Sequence, residues 1–564
     1  MATFSAVFLA SFLGFVVQVL VCLPAVASGR SDPSAPGGSC VSVHLNQATA
    51  ELEFVDGCHP DTSVAWGNFT DNMQQTGWTH LSITTNPNYN DTFQAYAAGL
   101  VEGYLTADHI YMSWFNTQAD FCHTMTTDCQ RIKDFMTDNL NWMKEQIADY
   151  PNDPYFYQMG LILDQVDGLK DGYMNRPNRP SLDIDPFGFL LFQAGGDIED
   201  IESALKVDSG RRRPRPSGHC SALIKLLPGN ADLYTSHDTW SPFSSMLRIV
   251  KKYDFPLRVS PKSSSVIPGR EVSFSSYPGT ILSGDDYYIM GSGLVSMETT
   301  IGNANSDLWK YVKAVGTVLD WMRNMIANRL ATTAIEWTQI FGKLNSGTYN
   351  NEWMVVDYKQ FKPGQPLPKE GVLAVLDQIP GQIVYKDMTW LLEKQKYWPS
   401  YNSPYFPTIF KNGGFEAQAE KYGQFFTYDH SPRANIFRRD HHKVTDLESM
   451  IKLMRYNDFQ HDPLSRCNCT PPYSGENAIS ARSDLNPMNG TYPFPYLGFR
   501  CHGGTDMKVT SSGLAKSLSM IAVTGPTHDQ QPVFQWSKSQ CDKEQLHMGH
   551  PDVFNFDPVK IVWP

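Results

Sequence analysis

The feature that most restricts how this chain can fold is an abrupt change of composition at Cys220. A basic, proline-rich stretch covers residues 206–219, and its four arginines and two prolines lie within Arg211–Pro216. The apolar run SALIKLL, a Pro-Gly-Asn turn at 228–230 and the run ADLYTSH follow directly. This pattern predicts a β-hairpin that begins at Cys220. We therefore expect residues 206–219 to form a protease-sensitive linker, removed or cleaved on maturation, that ends where a buried strand begins.

The first 27 residues predict a secretory signal peptide. An apolar stretch runs from Ala6 to Leu23, and the small residues Ala25-Val26-Ala27 provide a cleavage site after Ala27. An uncleaved signal anchor is the alternative, because the apolar stretch is nearly long enough to cross a bilayer. No later apolar run has that length, so we expect a soluble mature chain that is lysosomal or secreted.

Four N-x-S/T sequons fit a protein of the secretory pathway. They lie at Asn68, Asn90, Asn468 and Asn489, and we expect glycans at these positions. The formal net charge of −12 argues against a nucleic-acid partner. The arginines before Cys220 could form a nucleic-acid or membrane patch, but the prolines among them favour a flexible connector.

The number of cysteines predicts one that is unpaired. Ten are present, and Cys22 lies within the predicted signal peptide. In the oxidising secretory pathway most of the other nine should form disulfides, and an odd number leaves at least one free. Cys122 and Cys129 are close enough in sequence to close a local loop. Cys220, at the junction of linker and strand, is the cysteine that we predict to be unpaired.

Hydrophobic periodicity predicts three helices. Residues 131–150 place their apolar side chains on one helical face and end before a proline, and residues 309–330 carry an apolar stripe that includes Val315. A third helix is predicted over residues 241–253, where Ser241 can act as the N-cap and Pro242 lies in the first turn.

Strand signals form blocks of their own. They lie in the segments REVSFSSYPGTI, DYYIMGSGLVSMETTIGN, EWMVVDYKQF and GVLAVLDQIPGQIVYKD. Separate blocks of strands and helices predict the α+β class, with helices packed on a mostly antiparallel sheet.

Several common catalytic motifs are missing from the sequence. No G-x-S-x-G elbow occurs, which disfavours a serine lipase of the α/β-hydrolase type, and no H-E-x-x-H or phosphate-binding glycine loop occurs. His547 and His550 lack the glutamate of a zinc motif, and Asp440-His441-His442 is more typical of a surface turn than of a metal site. We expect no metal and no cofactor.

A cysteine at the junction has a specific chemical use if the chain is cut between His219 and Cys220. The new N-terminus would carry a thiol and an α-amine, and the ordinary pKa of such an amine is about 7.7–8.0. The amine can act as the general base for its own thiol, as in N-terminal threonine enzymes. The thiol itself can make the cut through a thioester with His219. A buried structural cysteine is the alternative.

Long motifs extend on both sides of this hairpin. They include GHCSALIKLLPGNADLYTSHDTW, SFSSYPGTILSGDDYYIMGSGLVSMETTIGN, YNSPYFPTIF and QWSKSQCDKEQLHMGHPD. In this order they resemble the phospholipase B-like proteins, which are lysosomal or secreted glycoproteins with the N-terminal-nucleophile hydrolase fold. The resemblance covers nearly all of residues 220–564. It implies a four-layer αββα sandwich with two antiparallel sheets, and autocatalytic maturation into fragments 28–205 and 220–564 that stay associated.

The resemblance also implies which residues form the site. Cys220 matches the nucleophile, and Asn402 and Arg433 match polar groups around it. We expect the Asn402 amide to stabilise an oxyanion, and Arg433 to bind a substrate carboxylate or phosphate or to orient the surroundings of the α-amine. A pairing of Arg433 with a core acid such as Asp440 is the structural alternative.

Three further residues match the lining of the family's pocket. His237 could carry protons or bind the leaving group. Trp240 and Thr300 also match residues of this pocket. The alternative is that they only form its wall. The family often has a C-x-x-C where this chain has Cys467 and Cys469 one residue apart, and we expect these two cysteines to pair elsewhere, for example with Cys501 or Cys541.

The implied activity is hydrolysis of fatty-acyl esters of phospholipids through a thioester on the cysteine. An N-acyl amide hydrolase is the first alternative, because thiol attack on a carbonyl serves both bonds. A weakly active or inactive member that binds lipid or protein is the second. The resemblance implies contact with a membrane surface only through the substrate, and it leaves a homodimer open.

Overall fold

The computed structural model describes residues 38–182, 187–208, 210 and 219–563. The predicted signal peptide 1–27 and most of the predicted linker 206–219 lie outside these residues. Within the described ranges, no helix is both long enough and apolar enough to cross a bilayer.

Strands and helices occur in blocks along the chain. Numbered in chain order, the strands are β1 (Ser39–Asn46), β2 (Glu51–Asp56), β3 (Ala65–Asn72), β4 (Trp78–Thr85), β5 (His219–Leu226), β6 (Leu233–Pro242), β7 (Arg248–Asp254), β8 (Glu271–Ser276), β9 (Tyr287–Met290), β10 (Leu294–Thr300), β11 (Asn351–Asp357), β12 (Leu373–Ile379), β13 (Gln382–Asp387), β14 (Tyr397–Ser400), β15 (His502–Gly504), β16 (Asp506–Ser511), β17 (Met520–Thr524), β18 (Phe534–Gln535), β19 (Val553–Phe554) and β20 (Val559–Ile561). The α-helices are α1 (Met73–Thr76), α2 (Asp91–Leu105), α3 (Ala107–Thr117), α4 (Thr127–Asp149), α5 (Pro154–Asn175), α6 (Leu190–Gln193), α7 (Gly195–Leu205), α8 (Asp320–Leu330), α9 (Ala334–Phe341), α10 (Thr389–Gln395), α11 (Pro407–Asn412), α12 (Phe415–Tyr422), α13 (Pro432–Asp440), α14 (Leu447–Met454), α15 (Ser512–Ala515) and α16 (Cys541–Glu544).

Two sheets contain most of these strands. The larger has eleven strands in the order β13-β12-β11-β10-β9-β8-β7-β4-β3-β1-β2, and only β4 and β7 are parallel neighbours. The smaller has the order β14-β5-β6-β16-β17-β20, with β15 also paired to β6. The larger sheet takes β1–β4 from before the linker and β7–β13 from after it, so both predicted fragments build one sheet.

Strand alternation explains how the two sheets pack. Along β5, Ala222, Ile224 and Leu226 belong to an apolar core that also contains Met354 of β11, and this core lies between the sheets. Leu223 belongs to a different core on the opposite face of β5. Helices α2, α5, α8 and α9 cover the outer face of the larger sheet, and α13 and α14 cover that of the smaller. The fold is therefore α+β, with helices on mostly antiparallel sheets.

The hairpin predicted at Cys220 and the helix predicted over 131–150 are both present. Strands β5 and β6 form the hairpin. Helix α4 spans Thr127–Asp149, and the hydroxyl of Thr126 accepts a hydrogen bond from the N–H of Cys129 at its start. Its predicted face is buried at Ile132, Phe135 and Met143. Strong local patterns thus gave the correct element in both places.

The helix predicted over 309–330 is present only in its second half. A short 3₁₀ turn ends at Tyr311, and α8 begins at Asp320. Gly316 between them has φ +85°, in the left-handed region, which interrupts a helix. Val315, assigned to the apolar stripe, is 58% exposed.

The prediction of a helix over residues 241–253 is wrong. The segment ends β6, forms a 3₁₀ turn at Phe243–Ser245 and continues as β7. Two of its basic residues are buried and paired: Lys251 lies 2.6 Å from Glu102 of α2, and Arg248 pairs with Asp285. These tertiary ion pairs hold the segment as a strand, although Ser241 and Pro242 fit the start of a helix.

Four disulfides occur among the described residues. Cys122 pairs with Cys129, as the spacing predicts, and Cys40 pairs with Cys58. The expectation that Cys467 and Cys469 pair elsewhere is wrong, because they bond to each other and Cys501 bonds to Cys541. The Cα atoms of Cys467 and Cys469 are 5.3 Å apart, within the range that a disulfide spans.

Cys220 is the free cysteine of the described residues, and it is buried. The asparagines of the four sequons, Asn68, Asn90, Asn468 and Asn489, are all exposed. Solvent access at these positions is compatible with the predicted glycans, which remain a prediction.

Candidate active site around Cys220

Cys220 lies in β5 between two neighbouring strands. It is directly opposite Thr239 of β6, and Ala222 further along β5 is opposite Ser400 of β14. Because Cys220 and Ala222 are two residues apart, both side chains lie on the sheet face that meets the larger sheet. The side chain is 3% exposed. The thiol is therefore at the end of the inter-sheet core and away from bulk water.

Both polar main-chain atoms of Cys220 are held by side chains. Its N–H donates to Oδ1 of Asn402 at 3.0 Å. Its carbonyl oxygen accepts a hydrogen bond from Arg433 at 2.6 Å, and the same guanidinium donates to the carbonyl of Tyr401 at 2.8 Å. The guanidinium also stacks on the Trp240 ring at 4.3 Å. Arg433 thus binds the main chain of the candidate nucleophile and helps to fix its position.

The alternative in which Arg433 pairs with Asp440 is wrong. Asp440 pairs instead with Arg439 and Lys443 of its own chain segment. Burial lowers the pKa of Arg433 to about 10, so the group stays charged at physiological pH.

Asn402 has a backbone conformation that favours few residue types. Its φ is +64°, in the left-handed region that asparagine tolerates better than most residues. Its side-chain amide donates to the carbonyl of Thr300 at 2.6 Å. Because an amide NH₂ has two hydrogens, one remains for an oxyanion of the kind predicted. In the uncleaved chain, however, the main contact of Asn402 is with the N–H of Cys220.

The thiol borders a cavity of about 170 Å³. Cys220, Trp240, Glu298 and Tyr349 are among its lining residues. Burial raises the pKa of the thiol well above its ordinary value, and the negative charge of Glu298 raises it further. The thiol is therefore neutral in this state, and it needs a base before it can attack a carbonyl.

Glu298 belongs to a pair of buried acids. The Tyr349 hydroxyl donates to Asp286 at 2.7 Å and lies 3.4 Å from a Glu298 oxygen. Burial raises the pKa of Asp286 to about 7, and burial together with Asp286 raises that of Glu298 well above its ordinary value. The pair therefore holds a proton at acidic pH beside the thiol, and can take up or release one.

His237 has both ring nitrogens engaged. Lys508 lies 3.1 Å from Nδ1, and Nε2 lies 2.9 Å from the carbonyl oxygen of Glu298. This pattern fits a neutral ring that donates from Nε2. Burial and then Lys508 lower its pKa well below the ordinary value. In this arrangement His237 links two strands, and the predicted proton transfer would require a change of partners.

Lys508 was not found from the sequence. Its ammonium group lies 2.9 Å from Asp506 and donates to the Thr239 hydroxyl at 2.6 Å, directly opposite Cys220 on β6. Its positive charge acts to lower the pKa of the thiol, against the effect of the acids. The segment DMKVTS alternates polar and apolar residues, a pattern that predicts a solvent-facing Lys508, so the sequence carried no signal of its burial.

A second cavity of about 250 Å³ lies on the other side of the site. Its lining includes Thr300, Asn402 and Arg433, together with Asp200 and Tyr349. Tyr349 lines both cavities, so they adjoin at this side chain. The structure thus brings Cys220, Trp240, Thr300, Asn402 and Arg433 to the two cavities, whereas His237 lies behind them in the strand.

The fold and this site define an α+β protein with a buried, unpaired cysteine at the start of a strand. The family model described as Phospholipase B matches residues 65–561. The chain is 49% identical to a rat (Rattus norvegicus) protein named "Putative phospholipase B-like 2", over 99% of this chain and 97% of that protein. It is 52% identical to the protein of the same name from Bos taurus, over 95% and 92%.

A more distant relative gives the same family. "Phospholipase B-like protein B" of Dictyostelium discoideum is 40% identical, over 89% of this chain and 86% of that protein. The chain therefore belongs to the phospholipase B family.

Proposed function

We propose that this protein is an acyl hydrolase that uses Cys220 as an N-terminal nucleophile after self-cleavage between His219 and Cys220. The observation that carries the proposal is a free, buried thiol that lines a cavity while Asn402 and Arg433 hold both main-chain atoms of the same residue. Both main-chain contacts come from side chains that line the second cavity, which places that cavity directly beside Cys220. The names of the relatives support ester bonds of phospholipids as the substrate.

The finer fold assignment follows from the packing. Two mostly antiparallel sheets with helices on both outer faces support a four-layer αββα sandwich of the N-terminal-nucleophile class. Fragments 28–205 and 220–564 would remain together after cleavage, because β4 of the first pairs with β7 of the second over seven residue pairs. Four exposed sequons and the predicted signal peptide support a lysosomal or secreted glycoprotein.

The first cut needs a base other than the α-amine. In the uncleaved chain the nitrogen of Cys220 is an amide, which carries no usable lone pair. Glu298 is the acidic side chain that most affects the thiol, and we assign the proton from Sγ to its ionised form, which becomes more populated as the pH rises because the pKa of Glu298 is raised. Sγ then bonds to the His219 carbonyl carbon, the C–N bond breaks, and the proton passes to the Cys220 nitrogen. Water hydrolyses the thioester and leaves a carboxylate on His219 and a free thiol.

Turnover would repeat the chemistry on a substrate. Sγ attacks the ester carbonyl, the alcohol leaves with a proton, and water releases the fatty acid from the acyl-cysteine. The new α-amine would stay next to Oδ1 of Asn402, where the N–H lies in the uncleaved chain. The free hydrogen of the Asn402 amide is available to the oxyanion.

The first experiment measures intact mass and the N-terminal sequence of the secreted protein and of Cys220→Ala, before and after brief incubation at a series of pH values from acidic to neutral. We expect the wild type to yield a fragment that begins at Cys220 and the variant to stay whole. Equal cutting of both would mean that other proteases act on the arginine linker, and would refute self-cleavage. If neither is cut, the site stays closed and the binding-protein alternative is favoured.

The second experiment identifies the bond. The processed protein is incubated with phospholipids and, separately, with N-acyl amides, and acyl adducts on Cys220 are sought by mass spectrometry. An adduct from the phospholipids supports ester hydrolysis. An adduct from the amides alone would transfer the proposal to amide hydrolysis, and the absence of any adduct with either class would contradict catalysis by Cys220.

A further inference from the structure

A row of polar side chains crosses the larger sheet beside the site. Thr299, Glu352 and Asp377 lie directly opposite one another on β10, β11 and β12. Met354 and Val375, two residues away on β11 and β12, belong to the core between the sheets. The three polar side chains therefore lie on that same inter-sheet face. Glu352 and Asp377 are both fully buried.

The two carboxyl groups hold the chain segment that follows Asn402. The N–H of Tyr405 donates to Oε2 of Glu352 at 3.1 Å, and the N–H of Phe406 donates to Oδ2 of Asp377 at 2.8 Å. The remaining oxygen of each carboxyl group is buried and has no hydrogen-bond partner in the part of the chain that the structure describes. Each acid thus uses one oxygen for the segment, and interaction between the two carboxyl groups affects the pKa of both.

Two ionised carboxylates are not stable in this position. Residues opposite each other on adjacent strands have Cβ atoms about 4.5–5.5 Å apart, and like charges there repel. Burial raises the pKa of Glu352 to about 7, and burial together with Glu352 raises that of Asp377 well above its ordinary value. The pair therefore holds its protons at acidic pH, where the two remaining oxygens can share one, and it begins to release them as the pH rises through about 7.

The titratable groups that face the pair do not neutralise its charge. They are tyrosines, at positions 401, 405 and 428, and burial raises the pKa of each. The largest causes of the shift of each acid include no lysine or arginine. Protonation of the pair itself is therefore the means of removing the repulsion.

The other side of the segment is also fixed. The Thr299 hydroxyl accepts a hydrogen bond from the N–H of Asn402 at 3.2 Å and lies 2.6 Å from the Ser400 hydroxyl. A positive φ at a residue other than glycine is unfavourable unless the surroundings hold it. Asn402 is thus held through Thr299 on one side and through the acid pair on the other, and it contacts the N–H of Cys220.

We propose that Glu352 and Asp377 are positioning residues whose one shared proton holds segment 400–406, and with it Asn402, against Cys220. The inference rests on the proposed function in so far as Asn402 serves the chemistry of Cys220. As the pair loses protons, negative charge remains buried beneath the segment, which loosens it. Because the folded-state pKa values are raised, the hold is complete at acidic pH and is lost as the pH rises through about 7.

The test measures hydrogen–deuterium exchange of the peptide that spans residues 400–406, expressed as protection against intrinsic exchange. It uses the full chain with Cys220→Ala, so that cleavage does not interfere. Between about pH 5 and pH 8 we expect protection of this peptide to fall by about tenfold or more, the effect of one unit of pKa. A peptide from α4, on the far side of the larger sheet, should not change.

Glu352→Gln in the same background imitates the protonated form of Glu352. Its carbonyl oxygen can still accept from Tyr405, and its NH₂ can donate to Asp377. We expect its protection at about pH 8 to stay at the acidic value. Asp377→Asn is the mirror variant, should give the same result, and keeps the test available if one variant fails to fold. Glu393→Gln on α10 is the control and should behave like the parent.

The outcomes separate this inference from the proposed function. If protection does not depend on pH in the parent, or falls equally in both amide variants, the shared proton does not hold the segment and the inference is overturned. Self-cleavage measured against pH in chains that retain Cys220 gives the second readout. We expect the amide variants to extend cleavage to higher pH; a chain that never cleaves but shows the pH-dependent protection would refute the proposed function alone.

Discussion

Around Cys220, the main chain and the thiol lie in different surroundings. On the main-chain side, Asn402 and Arg433 hold the nitrogen and the carbonyl oxygen by hydrogen bonds of 3.0 Å and 2.6 Å. On the thiol side, the side chain borders a cavity with Glu298 and Tyr349, and charges of both signs act on its pKa. The comparison separates two tasks: contacts fix where the residue is, and electrostatics decide when it reacts.

The division of tasks has a physical basis. The groups that bond to the backbone of Cys220, the Asn402 amide and the Arg433 guanidinium, do not themselves change charge between about pH 5 and pH 8. A buried acid pair such as Asp286 and Glu298 changes charge within the acidic to neutral range, and charges act strongly where water is excluded. Variants on the main-chain side should therefore change stability, whereas variants on the thiol side should change rates.

The largest effect on stability is expected for Arg433→Met. The substitution leaves the buried carbonyls of Cys220 and Tyr401 without donors, at a cost of about 1–3 kcal/mol for each. We expect a clear decrease of the urea midpoint of unfolding. Arg438→Met on the same helix is the control, because Arg438 is exposed and its change should cost little. Equal midpoints for the two variants would contradict the holding role of Arg433.

The largest effect on rate is expected for Glu298→Gln. Without this base, self-cleavage should slow by about 10²-fold or more, the usual contribution of general acid–base catalysis. Cleavage is followed by gel electrophoresis over a range of pH, and the urea midpoint checks that the variant is folded. Glu416→Gln, an exposed position on α12, is the matched control. An unchanged rate in the folded Glu298 variant would assign the base elsewhere.

A smaller effect is expected for the pH dependence of stability that arises from Asp200, a residue that lines the same cavity as Asn402. Burial raises its folded-state pKa to about 7, above an unfolded value of about 3.9. Between these values the folded state binds the proton more tightly, so stability falls as the pH rises, by at most about 1.4 kcal/mol per pH unit. Urea midpoints across this window should decrease less steeply in Asp200→Asn than in the exposed control Asp138→Asn. Parallel slopes would show that Asp200 has no part in the dependence.

The smallest effect is expected for Thr300→Val. The Thr300 hydroxyl is buried and has no hydrogen-bond partner in the described part of the chain, so its removal should change stability by less than about 1 kcal/mol. Thr299→Val is the matched comparison, because it removes contacts to Ser400 and Asn402 and should cost more. If Thr300→Val weakens substrate binding, seen as a raised KM, the hydroxyl is a substrate contact and not part of the wall.

The sequence by itself determined the elements with strong local patterns. The hairpin at Cys220, the helix near residues 131–150 and the four later strand segments are read correctly because period-2 and period-3.6 patterns are local properties. The odd number of cysteines and the position of Cys220 predicted the free thiol. The resemblance to the family's motifs predicted that Asn402, Arg433, Trp240 and Thr300 lie near this thiol.

Only the tertiary structure decided which charges are buried and what they contact. Arg248 and Lys251 lie in a segment predicted to be a helix, yet their partners Asp285 and Glu102 come from distant segments and make the region a strand. His237 and Lys508 are in contact although 271 residues separate them, and Tyr349 reaches Glu298 across 51 residues. A sequence pattern reports the preference of a residue for water or core, but the cost of a buried charge depends on neighbours that folding brings together.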